Sequence, residues 1–373
     1  MAFHLGCLRA LNDYDVLTKV QILSAVSGGS VIAALYAYYD EPFEAFDERV
    51  TALLRKGLFW GLVRHTLFSL ETPKIIASQL TSGVAASGGA VIRGLGKANT
   101  MLGGDRGEVQ KVTSWTDAPF RRFASRSTAF ERFLRKKVFG NTAIDEVARD
   151  GLEVVLNAAE LRTGTAFRFG SAESGCWRYG TLVNNQPMVS QAVSASACYP
   201  AALPSFDLVR EFEKNGVRQK HRVILTDGGI YDNLGITTML PGRSAEFSSN
   251  AHEVDFIIAC DAGAGMPSGI SKPYLWSTRM RMTVETIHRR THSLSYNLLH
   301  HLAETGKIDG FLLPYLGQID ERLPYIPGDF VSRDDVFDYP TDFSAMSEKN
   351  LSLLSSRGEQ LCRILIDHYN PNI

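Results

Sequence analysis

The stretch "VQILSAVSGGSVIAALYAYY", residues 20–39, sets two kinds of order side by side. Val20–Leu23 is an apolar run of strand type, Val31–Tyr39 is apolar and helix-like, and a small polar turn joins them. Strand, tight turn, helix is the reading. It puts Ser27 at the apex, where a hydroxyl stands above a sheet beside the positive end of a helix dipole. Ala25-Val26-Ser27-Gly28-Gly29 is G-x-S-x-G with alanine in the first position, a departure of a single methyl. Ser-Gly-Gly-Ser is also an ordinary turn that caps a helix, so these residues alone leave Ser27 as a nucleophile or a turn serine. Ser24 and Ser30 are weaker candidates because neither sits at the apex.

Three later runs extend the pattern. "LEVVLNAAEL" (152–161), "RVILTDGG" (222–229) and "VDFIIACDAG" (254–263) are continuous apolar stretches ending in a polar or glycine turn. Continuous rather than alternating apolar strands are covered on both faces, which predicts a three-layer α/β/α fold with a mostly parallel central sheet. Active groups then belong at the carboxyl ends of strands. Asp227, at the tip of Val223–Leu225 and followed by Gly228-Gly229, is a candidate base. Asp261 in "ACDAGAG" has the same layout, and Asp-Gly also ends strands for purely local reasons. The local pattern does not rank the two.

The 373 residues, 45% hydrophobic, suffice for a large core and are read as one domain over 1–373. With 39 basic and 40 acidic residues, nothing in the charge points to nucleic acid. Cys7, Cys176, Cys198, Cys260 and Cys362 lack C-x-x-C spacing and read as reduced core thiols. The N-terminal residues carry no basic region with an apolar run behind it, and no run reaches the roughly 18 apolar residues of a spanning helix. A cytoplasmic chain, peripheral at most to a membrane, is the expectation.

Residues 51–140 differ in kind. They include the Gly-, Ala- and Ser-rich "LTSGVAASGGAVIRGLGKANTMLGGDRG" and are expected to form an inserted helical and Gly-Ala-rich cap. Within them "TALLRKGLFWGLVRHTLFSL" (51–70) carries Arg55, Lys56, Arg64 and Trp60 with no acid. That composition suits a helix lying in a lipid interface, as a peripheral membrane contact, or a helix packing its apolar face on the sheet. "RRFASRSTAFERFLRKKVFG" (121–140) reads as a solvated helix face.

Taken together, "VSGGS" (26–30), "VLNAAELRTGTAFRFG" (155–170), "VSASACYPAALPSF" (193–206) and "TDGGIYDNLG" (226–235) resemble the patatin-like phospholipases in mixture and spacing. The resemblance runs from "FHLGCLRAL" near the start to "LSLLSSRGEQLCRILIDHY" near the end. It implies a patatin-like fold and a lipid acyl hydrolase that needs no cofactor and no metal. In that family the serine of G-x-S-x-G and the aspartate of D-G-[GA] form a dyad without histidine, and the matching positions are Ser27 and Asp227. Ser27 would attack the ester carbonyl, Asp227 would accept its proton, and the helix beginning near Gly28 would lend its dipole.

Members also open with a strand and a glycine-rich oxyanion loop ahead of a helix resembling "AFHLGCLRAL", whereas this chain starts at Met1 inside that helix. A natural start further upstream, supplying the loop, is the expectation; the other reading is a weak or silent lipid-binding relative. In "SASACYPAALPS" (194–205) Pro200 is expected to stop a helix of small, closely packed residues, and Asn157 and Asn233 to make turn hydrogen bonds. A Ser-His-Asp triad is the rival mechanism, since His288 and His292 share a helical face after Asp261. The same i, i+4 pair could bind zinc, although no H-E-x-x-H or cysteine set accompanies it; otherwise both histidines are expected to face solvent.

Overall fold

The computed structural model describes residues 1–57, 74–78, 80–81, 122–200, 203–244, 246, 248–263, 272–340 and 344–370. The first half runs α1 (Ala2–Asp13), β1 (Ile22–Val26), α2 (Gly28–Ala37), α3 (Phe43–Lys56), α4 (Arg126–Leu134), β2 (Glu153–Glu160), β3 (Thr165–Gly170), β4 (Ser174–Cys176) and β5 (Gly180–Leu182). Then come α5 (Val189–Ser196), β6 (Phe206–Lys214), β7 (Val217–Asp227), β8 (Phe256–Ile258), α6 (Trp276–Glu304), β9 (Gly310–Leu312) and α7 (Glu348–Tyr369).

β1 runs parallel to β2, with Val26 opposite Asn157. Every pairing among β2–β7 is antiparallel, and β7 returns to β2 with Asp227 opposite Ala158, so these strands close into a ring. β8 and β9 form a separate parallel pair. The fold is α/β, but its sheet is mixed and mainly antiparallel, which corrects the expected mostly parallel central sheet.

The physical reason is that a continuous apolar run reports only that both faces are covered; direction is set by the connections. Asn215 and Gly216, at φ 52° and 75°, form the two-residue left-handed turn that a tight hairpin requires, which makes β6 and β7 antiparallel neighbours. Residues 161–164, ending at Gly164 with φ 66°, do the same for β2 and β3. α2 and α5 lie against the part of the sheet formed by β1, β2 and β7.

Phe167 packs against Phe169 and Phe212 at ring separations of 4.9 and 6.2 Å, filling the core between β3 and β6. α1 buries Phe3, Cys7 and Leu11 along one face, with Leu8 half-buried beside them. It crosses α7 at a distance only glycines allow: a methyl at Gly6 would meet the Ser355 carbonyl, and one at Gly358 the Phe3 carbonyl. A smaller core of Ile236, Ile257, Ala259, Leu299, Leu302 and Ile308 joins β8 to the second half of α6. All five cysteines are free thiols, and burial pushes Cys198 up to about 12.

Most of the expected cap, 58–73 and 82–121, lies outside the described residues. The stretch 51–70 is not one helix, because α3 ends at Lys56 and Gly57 follows with φ 67°. Its Arg55 is bound to Glu348 of α7 through two contacts of 2.7 Å, and 58–70 lie outside the described residues. α4 starts from a Ser125–Thr128 capping box and buries Ala129, Phe130 and Leu134, while Lys136 and Lys137 beyond it remain in water. Among the described residues no helix is long and apolar enough to cross a membrane.

Candidate active site

β1 and β7 share one edge of β2 and approach from opposite directions. Val26 ends β1 opposite Asn157 and Asp227 ends β7 opposite Ala158, so the two tips arrive one residue apart, about 3.3 Å along β2. Ser27 follows Val26 at φ 53° and ψ −127°, a conformation that costs a non-glycine residue about 1–3 kcal/mol. The sharp turn frees its side chain, and Ser27 Oγ donates to Asp227 Oδ2 at 2.8 Å. Gly28 and Gly29 open α2, and among the described residues nothing lies within 4 Å of where a Cβ would stand on either, which leaves room above the turn.

One short segment fixes both tips. Ser196, the last residue of α5, accepts the Ser27 backbone N–H at 3.0 Å, shares a 2.7 Å bond with Ser30 Oγ and donates to the Asn157 carbonyl at 2.6 Å. Two residues on, the Cys198 carbonyl accepts from Asp227 N at 3.1 Å and Thr226 Oγ1 at 3.0 Å. The sequence predicts packing alone for this segment, and nothing local singles out Ser196 as the side chain that ties Ser27 to Asn157. Gly228 permits the close pass, since a Cβ there would strike the Asn157 carbonyl.

Asp227 is 3% exposed, and burial pushes its carboxyl above the ordinary carboxylate range. The Ser27 hydroxyl, the Gly229 N–H that reaches Oδ1 at 2.8 Å, and the charge of nearby His288 each pull it back down.

The remaining candidates have other places. Ser24 Oγ donates to the Gly235 carbonyl at 2.6 Å and accepts from Asn157 Nδ2 at 2.8 Å, while Ser30 is buried under the turn. Asn157 is therefore no turn residue: it sits within β2 and ties that strand to β1. Asn233 lies over Gly229 in the loop after Asp227. Asp261 accepts from Gly263 N at 2.8 Å and from the Tyr296 hydroxyl, and His292 Nε2 stands 3.3 Å from its Oδ2. His292 thus faces a buried carboxylate rather than solvent, because α6 lays that side across Asp261. An aspartate–histidine pair of the rival triad does form, but the Ser27 hydroxyl goes to Asp227. Among the described residues no three His, Cys, Asp or Glu side chains converge as a metal site would need.

A serine hydroxyl bonded to a buried carboxylate thus stands where two strand ends of an α/β fold meet, beside the start of α2. The chain belongs to the patatin-like phospholipase family, whose model matches residues 1–240; members of that family are lipid hydrolases. No curated protein matches the chain. The crystal structure of VipD from Legionella pneumophila is similar over 98% of this chain and 64% of that one, at 12% identity and a TM-score of 0.40. The chain thus spans less than two thirds of that protein's length.

Proposed function

We propose that the chain hydrolyses fatty-acyl esters of lipids, with Ser27 as nucleophile and Asp227 as the base. The observation that carries this is the 2.8 Å bond from Ser27 Oγ to Asp227 Oδ2 in a chain of the patatin-like family. Ser27 Oγ attacks the ester carbonyl carbon as its proton passes to Asp227. The oxyanion collapses, the alcohol leaves with that proton, and the acyl group stays on Ser27. Water, deprotonated by Asp227, then attacks the acyl carbon; the fatty acid leaves and Ser27 recovers its proton.

A carboxylate is a weak base toward an alcohol, so charge stabilisation has to do much of the catalysis. The Gly28 N–H and the α2 N-terminus are the donors this turn offers to the oxyanion. Burial of Asp227 helps from the other side, since a raised carboxyl pKa makes a stronger base.

A fluorophosphonate probe tests the reading directly. It should label Ser27 of the wild-type chain, fail to label Ser27→Ala, and label Asp227→Asn at least about 100-fold more slowly. Labelling of a different serine, or equal labelling of Asp227→Asn, would overturn the assignment.

A further inference from the structure

Among the described residues, α6 is covered along one face and exposed along the opposite one. Thr278, Met282, Glu285, His292, Tyr296 and Leu299 are at least partly covered. At roughly 100° per residue, Trp276, Met280, Val284, Ile287, Leu294 and Leu298 form a stripe on the far side. That stripe is in water: Trp276 is 70% exposed, Ile287 63%, Val284 and Leu294 50% each. An ordinary surface helix turns its apolar side inward; this one does so through Leu299 and Leu302 and carries a second apolar face outward. Tyr274 and Leu275, 84% and 71% exposed, extend the stripe at the N-terminal end.

The charges beside it have one sign. Residues 272–290 contain Lys272, Arg279, Arg281, Arg289 and Arg290 against the single acid Glu285. Arg279 and Arg290 flank the stripe, and among the described residues neither is paired with a carboxylate.

We infer that the exposed face of α6 docks the protein on an anionic lipid surface, with the apolar stripe in the interface and Arg279 and Arg290 on the headgroups. Aromatic side chains at one end, an aliphatic row and flanking arginines are what such an interface selects. The three-and-four spacing of the stripe would also fit the same helix of a second copy, but two helices of this charge laid side by side would repel. The inference rests on the lipid-hydrolase reading for its purpose alone; the binding is measured without hydrolysis.

The test uses the Ser27→Ala chain and vesicles of phosphatidylcholine with roughly 30% phosphatidylglycerol, followed by co-sedimentation. Binding is expected, weakening with added salt, and Trp276→Glu with Ile287→Glu should lower partitioning about tenfold or more. Arg279→Gln with Arg290→Gln should weaken binding to these vesicles but not the residual binding to pure phosphatidylcholine. On the Ser27 background both double variants should keep wild-type turnover of a short soluble ester, which separates a lost docking face from a lost fold. Vesicle binding unaffected by the double glutamate variant overturns the inference, as does a vesicle-inert dimer that Ile287→Glu dissociates. Absent ester turnover would instead count against the hydrolase reading and leave the vesicle result standing.

Discussion

At Asp227 burial and chemistry are opposed. The carboxylate must be ionised to take a proton from Ser27, yet it is 3% exposed and its pKa is raised by lost hydration. Between the unfolded value of about 3.9 and the raised folded value, the native chain holds a proton that the unfolded chain releases. Stability contributed by this group is therefore present at low pH and is lost as pH rises through the folded pKa. Asp227→Asn removes the charge, keeps an acceptor for the Gly229 N–H, and offers an N–H to Ser27 Oγ. We expect it to melt above wild type at neutral pH, with the gain shrinking as pH falls through the raised pKa, while ester turnover drops by about 1,000-fold. Melting curves at several pH values beside kcat check both halves; a variant that melts lower at neutral pH would mean the carboxylate is a net stabiliser there.

Among the elements, α5 governs the alignment of the two strand tips. Ser196→Ala preserves helix propensity but leaves the Ser27 N–H and the Asn157 carbonyl each without that partner. We expect stability lower by about 1–3 kcal/mol and kcat down about tenfold with KM little changed, because the nucleophile is displaced and the binding surface is not. Equal kcat would assign Ser196 to packing alone. Ser27 and Asp227 stood out as candidates because each lies at a strand end marked by glycines within a few residues, but the local pattern alone left Asp261 level with Asp227 and only the family resemblance ranked them. Ser196 did not stand out, since its partners stand 169 and 39 residues away and a serine among small helix residues carries no local mark. Strand direction is marked in the sequence by Asn215-Gly216, a strong short hairpin signal, whereas the apolar run after it reports only that both faces are covered. The pairing of Asp261 with His292 and Tyr296 depends on where α6 crosses, which its periodicity does not report.

Over the whole molecule, the family match ends at residue 240 but the folded unit does not. α7 closes on α1, and from it the fully buried Arg357 reaches the carbonyls of Leu316, Gln318 and Val331 and, at 2.9 Å, the Asp320 carboxylate. A guanidinium in that position holds the 316–331 loop to the last helix, and through α1, whose His4 ring nitrogen lies 3.2 Å from the Cys260 carbonyl, the clamp extends to the strand that precedes Asp261. Arg357→Met keeps most of the volume but strands Asp320 and the loop carbonyls, and removing one side of a buried charged pair costs about 3–5 kcal/mol. Two outcomes are distinct in native-state hydrogen exchange. If α7 were an appendage, Arg357→Met would speed exchange in α1 and α7 alone, and the amides of β2 and β7 would keep their protection. We expect protection in β2 and β7 to fall together with that in α7, because α1 buries Phe3, Leu5 and Cys7 in the same core as Val154 and Leu156 of β2.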